Sequence, residues 1–289
     1  MLINTTYVGN NDYPSTTSPS IVNPLPNDED NQSVPTESSK PDESNVQTPS
    51  VEPTTPSSEA SASETTTPAT TPKPTQSEST PAPEQEQTEK MVALSFDDGP
   101  AKTLTPELLQ ILKDNDATAT FFVLGNRVKL YSDIIAEAYQ DGNEIGNHSY
   151  DHSDFTKLTK EQMINQIKTT NDAIYQITHE YPTFFRPPYG AVNDAVKAAA
   201  NCPMALWSID SNDWRSISDE QVINNVMSEL GDGKIILMHD IHQRTIKISK
   251  TLLPKIKAQG YKIVSIKELY KANKIELENG FVYSKVKKN

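Results

Sequence analysis

The chain has 289 residues and a formal net charge of −13 at pH 7, a length that allows one large domain or two ordinary ones. It contains no run of 18 apolar residues, which excludes a transmembrane helix, and no basic cluster, which argues against nucleic acid as a partner. The single cysteine, Cys202, excludes an intrachain disulfide framework.

The first 90 residues have the composition of a disordered segment. They contain 14 of the 21 prolines, 2 of the 20 aromatic residues, and 14 acidic against 3 basic side chains, a net charge of −11. Such a segment cannot bury enough apolar surface to offset the entropy lost on ordering. We predict an acidic stalk or linker over residues 1–90 that holds a folded domain away from a surface, with a tail of no function as the alternative.

The remaining 199 residues alternate short apolar runs with segments of helical periodicity. The predicted strands are residues 92–96, 118–124, 144–147, 183–185, 204–209, 234–238 and 262–266. The predicted helices are residues 105–113, 133–140, 160–178, 194–200, 219–230 and 245–258. Thr159 and Gln162 fit a capping box at the start of the third of these helices. Strands alternating with helices indicate a parallel α/β sheet, either open or closed into a barrel.

Ionisable side chains follow five of the predicted strands. They are Asp97 and Asp98, His148 and His152, Arg186, Asp210 and Asp213, and His239 and Asp240. Parallel α/β folds place their active sites at the carboxyl ends of their strands. We therefore expect these side chains to form one site.

The residue types in this set predict metal-assisted hydrolysis at a carbonyl group. One carboxylate and two histidines four residues apart can bind a metal and leave a coordination position open, which is the catalytic rather than the structural zinc arrangement. A second carboxylate then remains for general base catalysis and a third histidine for general acid catalysis. A divalent metal in such a site polarises the carbonyl and promotes ionisation of water.

These segments resemble the sequence motifs of a known family, and they occur in the same order. The resemblance lies in Ser95 to Pro100 (SFDDGP), His148-x-x-x-His152, Arg186 to Gly190 (RPPYG), Asp210-x-x-Asp213-Trp214 and Leu237-Met238-His239. These segments are similar to the five ordered motifs of the polysaccharide deacetylases, the NodB-homology group also called carbohydrate esterase family 4. The resemblance covers roughly residues 91–270. It implies a distorted (β/α)7 barrel that removes acetyl groups from N-acetylated or O-acetylated sugars.

The resemblance also implies roles for the residues of the first three motifs. Asp98, His148 and His152 would bind a divalent metal, usually Zn²⁺, with Co²⁺ and Mn²⁺ as alternatives. Asp97 would be the general base that deprotonates the attacking water. Arg186 would position Asp97.

The later motifs would supply the acid and the pocket. His239 would protonate the leaving amine or alcohol, and Asp213 would orient His239. The backbone N–H of Tyr189 would stabilise the oxyanion of the tetrahedral intermediate. Trp214 and Leu237 would form the wall of the pocket for the acetyl methyl group.

Within the family, the form of the last two motifs resembles the peptidoglycan deacetylases of Gram-positive bacteria. We therefore expect a monomeric extracellular enzyme, associated with the cell wall or surface, that acts on N-acetylglucosamine in peptidoglycan. Chitooligosaccharides, poly-N-acetylglucosamine and acetylxylan are alternative substrates, and an inactive carbohydrate-binding surface module is an alternative of another class. The first 20 residues do not show the basic and apolar regions of a signal peptide.

The domain boundaries follow from these patterns. The catalytic domain is predicted over residues 91–273. Residues 274–289 are predicted to form a C-terminal tail with a short hairpin, because Asn279-Gly280 lies between apolar residues.

Overall fold

The computed structural model of the chain describes residues 89–287, so the predicted stalk over residues 1–90 lies outside the described residues except for its last two positions. The strands are β1 (Lys90–Asp97), β2 (Thr120–Val123), β3 (Glu144–Asn147), β4 (Met204–Ala205), β5 (Ile209–Asp210), β6 (Ile235–His239), β7 (Tyr261–Val264) and β8 (Val282–Tyr283). The helices are α1 (Leu104–Asp114), α2 (Gly125–Val128), α3 (Ser132–Gln140), α4 (Lys160–Thr178), α5 (Asp194–Ala200), α6 (Asp219–Glu229), α7 (Gln243–Ala258) and α8 (Ile266–Ala272).

Strand β1 is the centre of a parallel sheet with the order β3-β2-β1-β6-β5. Its Ala93–Asp97 part pairs with β6 on one side. On the other side its first half pairs with β7 and its last three residues pair with β2. Six of its eight residues are buried, which is expected of a parallel strand that is covered on both faces.

The sheet closes into a barrel because Phe185 and the strand pieces β4 and β5 connect β3 to β6. Phe185 forms isolated parallel bridges to Asn147 at the end of β3 and to Met204 in β4. The chain then continues into β5, which pairs with β6. The expected distorted barrel is confirmed.

The predicted strand over residues 204–209 is wrong in one respect, because it is divided into β4 and β5. The backbone groups between the two pieces have other partners. Arg186 donates hydrogen bonds to the carbonyl oxygens of Ala205 and Leu206, and the N–H of Leu206 donates to Tyr283. The segment therefore changes partners midway and cannot remain one continuous strand.

Amphipathic helices cover the barrel and agree closely with the predicted segments. Helices α4 and α5 have the predicted bounds, and Thr159 and Gln162 form the predicted capping box at the start of α4. Helices α2 and α8 were not predicted. No helix within residues 89–287 is long and apolar enough to cross a membrane.

The C-terminal tail packs against the barrel, and the predicted hairpin is wrong. Gly280 supplies the turn with a φ of 78°. The strand that follows the turn is β8, but its partner is β4, with which it pairs in parallel. Tyr283 and Val286 join a cluster with Phe184 and Tyr270. The tail therefore covers apolar surface of the barrel instead of pairing with itself.

Candidate active site

The carboxyl ends of β1, β3 and β6 and the segments after Phe185 and β5 carry the predicted site residues. Three of these residues, which we call the ligand trio, offer atoms that all lie within 4.8 Å of one another: Asp98, His148 and His152. The Oδ1 atom of Asp98 lies 3.3 Å from Nε2 of His148 and 3.2 Å from Nε2 of His152. Within residues 89–287, this buried oxygen accepts no hydrogen bond.

The tautomer of His148 explains why the trio fits a cation. Its Nδ1 atom lies 2.7 Å from the carbonyl oxygen of Arg186, which can only accept, so Nδ1 carries the proton. In the neutral ring Nε2 therefore directs a lone pair at Asp98 Oδ1. Lone pairs that face one another at such distances are stabilised by a positive ion between them. The donor set of two imidazoles and one carboxylate is one that Zn²⁺ and similar divalent ions prefer.

The electrostatics of the trio agree with this interpretation. Burial opposes ionisation of Asp98, but the adjacent imidazoles of His148 and His152 lower its pKa below the ordinary value. Burial would lower the pKa of His148, yet the carboxylates of Asp97 and Asp98 raise it. Burial lowers the pKa of His152. The site thus holds an ionised carboxylate beside two imidazoles and attracts positive charge.

The trio is supported by strained backbone. Asp98, Ser149 and His152 have φ values of 76°, 74° and 65°, in the left-handed region that residues other than glycine seldom adopt. The N–H of His152 donates to Ser149 Oγ, which holds the turn between the two histidines. Strain of this kind persists where surrounding contacts fix the backbone, and it concentrates at functional sites.

Asp97 is held by Arg186, the most deeply buried charged side chain in the described part of the chain. Arg186 has no exposed surface, and its NH1 atom donates to Asp97 Oδ1 at 2.7 Å and to Ser95 Oγ at 2.9 Å. The guanidinium also lies 4.0 Å from the ring centroid of Phe122. The other oxygen of Asp97 lies 3.7 Å from Nε2 of His148. Asp97 is thereby fixed at the edge of the ligand trio.

His239 and Asp213 form a second hydrogen-bonded pair. Asp213 Oδ1 lies 2.8 Å from Nδ1 of His239, while Oδ2 accepts the backbone N–H of His239 and the hydroxyl of Thr245. Burial would lower the pKa of His239, but the hydrogen bond and the charge of Asp213 raise it to about 9. The raised pKa favours the protonated form of His239, and the hydrogen bond to Asp213 orients its ring. It is also the register partner of Asp97 across β1 and β6.

The residues expected to form the substrate pocket lie in different environments. Tyr189 is 69% exposed, and its ring centroid lies 4.6 Å from that of His152, a member of the trio. Trp214 is also exposed and lies beside the guanidinium of Arg215. Leu237 is buried in β6. The structure thus places the Tyr189 ring beside a metal-ligand candidate, Trp214 at the surface and Leu237 in the barrel wall.

Two further residues support the site, and only one of them, Asp240, is expected from the sequence. Thr245 belongs to α7 and reaches Asp213 through folding alone, so no local motif marks it. The position of Asp240 directly after His239 predicts a supporting residue of the site, with a surface residue as the alternative. Its carboxyl group is buried, accepts the Thr105 hydroxyl at 2.5 Å and lies against Gly99, next to Asp98. Burial raises the pKa of Asp240 to about 7.

Comparison with known proteins finds polysaccharide deacetylases that are similar to this chain. A family model described as polysaccharide deacetylase matches residues 84–207. The chain is 42% identical over 183 residues to the peptidoglycan-N-acetylglucosamine deacetylase PgdA of Listeria monocytogenes, a match that covers 63% of this chain and 39% of that protein. It is 38% identical to the peptidoglycan-N-acetylmuramic acid deacetylase PdaC of Bacillus subtilis, covering 64% of this chain and 40% of that protein. The chain thus spans about two fifths of the length of these two relatives.

One shorter relative and two solved structures are matched along most of their length. A peptidoglycan-N-acetylglucosamine deacetylase of Bacillus cereus is 34% identical, with 63% of this chain and 88% of that protein covered. The solved structure of PdaC has a TM-score of 0.62 at 38% identity, covering 64% of this chain and 92% of that one. A family 4 acetyl xylan esterase from Clostridium thermocellum, solved with a cobalt ion, has a TM-score of 0.65 at 32% identity, covering 68% and 99%. The chain belongs to the polysaccharide deacetylase family.

Proposed function

We propose that the chain catalyses the hydrolytic removal of N-acetyl groups from a cell-wall polysaccharide outside the cell. This proposal rests on one observation, namely that three groups of interacting side chains lie together at one end of the barrel. These are the ligand trio, the Asp97–Arg186 pair and the His239–Asp213 pair. Relatives that share the fold are named as deacetylases of peptidoglycan, which supports the same reaction here.

The division of labour follows from the contacts. Asp98, His148 and His152 would hold a divalent cation, which we propose to be Zn²⁺. The cation would supply Lewis-acid chemistry by polarising the acetyl carbonyl and promoting ionisation of water. Asp97 accepts the proton of the attacking water, and the hydrogen bond from Arg186 fixes the direction of its carboxylate.

The second half of the reaction uses the opposite side of the site. His239 donates a proton to the leaving nitrogen, and Asp213 stabilises the imidazolium before this transfer. We assign oxyanion stabilisation to the backbone N–H of Tyr189, whose φ of 61° is an unusual backbone conformation beside the trio. Trp214 and Leu237 are proposed as the acetyl pocket.

Acetate release tests the reaction. The wild-type chain is incubated with N-acetylglucosamine oligomers, with and without a chelator, and compared with Asp97→Asn. We expect the chelator to abolish acetate release and Asp97→Asn to lower kcat at least about 100-fold, the usual effect of losing a general base. Asp116→Asn is the control. It makes the same substitution at an exposed carboxylate that is paired with Lys257 and not with the ligand trio, and it should retain activity. Release that survives both chelation and Asp97→Asn refutes the mechanism.

The preferred substrate is proposed to be N-acetylglucosamine in peptidoglycan. PgdA is named for this sugar and PdaC for N-acetylmuramic acid, so both sugars of the wall glycan are tested. Acetate release is compared on peptidoglycan, chitopentaose and acetylxylan at equal acetyl concentration. Mass spectrometry of the digested glycan then identifies the sugar that carries the new amine. Faster release from acetylxylan than from peptidoglycan would overturn the proposal.

A further inference from the structure

The turn between the two histidines of the ligand trio has an unfavourable backbone. Ser149 and His152 have positive φ values of 74° and 65°, which cost free energy in residues that carry a Cβ atom. The trio nevertheless needs this turn, because it brings the Nε2 atoms of His148 and His152 to the same oxygen of Asp98. Contacts with the rest of the protein therefore have to hold the turn in place.

Asn147 anchors the start of the turn to helix α4. Its side chain is buried, and its Oδ1 atom accepts the N–H of Ser149 at 2.7 Å. Its Nδ2 atom donates to the carbonyl oxygen of Ile167 at 2.9 Å and to Oδ1 of Asn171 at 2.7 Å, and both partners belong to α4. A fully paired amide thus supports the left-handed conformation at Ser149.

Gln166 anchors the middle of the turn to the same helix. Its Oε1 atom accepts the backbone N–H groups of Tyr150 and Asp151 at 2.8 and 3.2 Å. Its Nε2 atom donates to Oδ1 of Asp151 at 2.6 Å. The same carboxylate oxygen accepts the backbone N–H and the hydroxyl of Ser153, at 3.1 and 2.6 Å. Asp151 therefore connects Gln166 with the residue that follows His152.

The carbonyl groups of the turn are held separately. Those of Ser149 and Tyr150 accept the N–H groups of the first two residues of α2. These are backbone contacts and do not depend on the identity of a side chain. Within residues 89–287, by contrast, the N–H groups of Tyr150 and Asp151 are bound by Gln166 alone. Gln166 is therefore the side chain on which this half of the turn depends.

We propose that Gln166 is a positioning residue of the metal site and acts through Asp151 and the backbone of the turn. This inference rests on the proposed metal site. The hydrogen bonds of Gln166 reach residues between the two histidines, and in the described part of the chain none joins it to the ligand trio itself. Without Gln166 the positive φ values could relax, and binding of Zn²⁺ would have to order the turn again. A site that is formed before the metal arrives binds it more tightly.

Titration of the metal-free full chain with Zn²⁺, in competition with a chromophoric chelator, tests this proposal. We expect Gln166→Ala to weaken Zn²⁺ binding about tenfold, because the turn is then no longer ordered in advance. Gln110→Ala is the matched control. It removes a helical glutamine that also donates to a carboxylate, that of Asp114 at 2.7 Å in α1, and it should leave the Zn²⁺ affinity unchanged.

A reversed pair distinguishes positioning from a general loss of stability. Gln166→Glu places a second carboxylate against Asp151 and should weaken Zn²⁺ binding, although the added negative charge alone would attract a cation. Adding Asp151→Asn supplies a donor opposite the new acceptor and restores the net charge, so the double variant should recover most of the affinity. An unchanged affinity in Gln166→Ala, or a double variant that binds as weakly as Gln166→Glu, overturns the positioning role.

These titrations also separate this inference from the proposed function, because they contain no glycan. Absence of acetate release by the wild-type chain would overturn the proposed function and leave the effect of Gln166 on Zn²⁺ affinity intact. Zn²⁺ binding that does not respond to Gln166 would overturn the positioning role and leave the deacetylase proposal in place.

Discussion

At the scale of the residue, Arg186 connects the interior of the barrel with the chemistry at its end. Its guanidinium donates to two backbone carbonyls, to Ser95 and to Asp97, and lies over the ring of Phe122. A charge without solvent contact is tolerated only when its donors are satisfied in this way. The same group fixes the divided strand and the general base that we propose.

Replacing Arg186 with methionine should destabilise the barrel. The substitution keeps most of the volume but leaves Asp97 buried without its cation, which we expect to cost about 3–5 kcal/mol of unfolding free energy. Urea denaturation measures this cost. Arg244→Met, which removes a partly exposed arginine paired with Asp219, should cost about 1 kcal/mol or less. Equal costs for the two variants would contradict the central role of Arg186.

Asp213→Asn should move the alkaline limb of the pH–rate profile to lower pH. Asp213 raises the pKa of His239 by stabilising its charged form. The general acid acts when protonated, so activity declines as pH rises through this pKa. Removing the carboxylate charge lowers the pKa, and we expect the limb to move by at least about one pH unit. Asp210→Asn, three residues earlier, is the matched control, and an unmoved limb in Asp213→Asn would exclude His239 as the acid.

The sequence predicts the principal residues of the site because parallel strands end at one edge. Asp97, His148 and His239 directly follow predicted strands, so a sheet with the correct strands brings them together. Thr245 and the contact of Asp240 with Gly99 depend on how helices and loops pack after the sheet forms. No spacing in the chain encodes those contacts.

At the scale of the element, the turn after β1 is fitted closely to the end of β6. A Cβ atom on Gly99 would lie 2.3 Å from both carboxylate oxygens of Asp240, which is buried and cannot move into solvent. The turn carries Asp98 one residue earlier. The position of this metal-ligand candidate therefore depends on the absence of a side chain at Gly99.

Gly99→Ala should weaken metal binding. The added methyl group displaces the turn or Asp240, and Asp98 moves with it, so we expect Zn²⁺ affinity to fall at least about tenfold. Isothermal titration of the metal-free protein measures the change. Gly231→Ala is the control, because its Cβ would approach only the flexible Lys234 side chain, at 3.3 Å or more. An unchanged Zn²⁺ affinity in Gly99→Ala would show that the turn accommodates the added methyl group without moving Asp98.

The sequence predicts most helices closely, and it predicts elements poorly where one apolar run belongs to both a strand and the helix that follows it. Helices α4 and α5 match to the residue. The apolar run at 262–266 predicts one strand, yet β7 ends at Val264 and Ser265 caps α8 by accepting the N–H of Glu268. Ser265 and Glu268 carry the spacing of a capping signal, which the apolar run concealed. The four-residue helix α2 is too short for any periodicity.

At the scale of the whole molecule, the C-terminal tail completes a core that the barrel leaves open. Tyr283 packs its ring 5.2 Å from that of Tyr270 and 6.2 Å from that of Phe184. The backbone N–H of Val286 donates a hydrogen bond to the carbonyl oxygen of Gly233 at 2.7 Å. The domain predicted to end at residue 273 therefore depends on residues after that position.

Tyr283→Ala should cost about 2 kcal/mol of unfolding free energy, because it removes a partly buried aromatic ring from this cluster. Phe281→Ala, two residues earlier and 55% exposed, should cost less than about 0.5 kcal/mol. Urea denaturation of both variants provides the comparison. A cost for Tyr283→Ala as small as that for Phe281→Ala would mean that the tail contributes little to stability.

The central position of β1 has a consequence for synthesis of the chain. Ser95 in β1 donates to Ile236 in β6, a residue made 141 positions later on the ribosome. β1 leaves the ribosome before every other strand of the barrel but gains β6 and β7 last. We expect the nascent chain to stay protease-sensitive until β7 has emerged and then to become resistant in one late step. Pulse proteolysis of chains stalled with β7 still inside the ribosome and with β7 fully emerged would detect that step. We therefore expect a domain with this strand order to stay unfolded during most of its own translation.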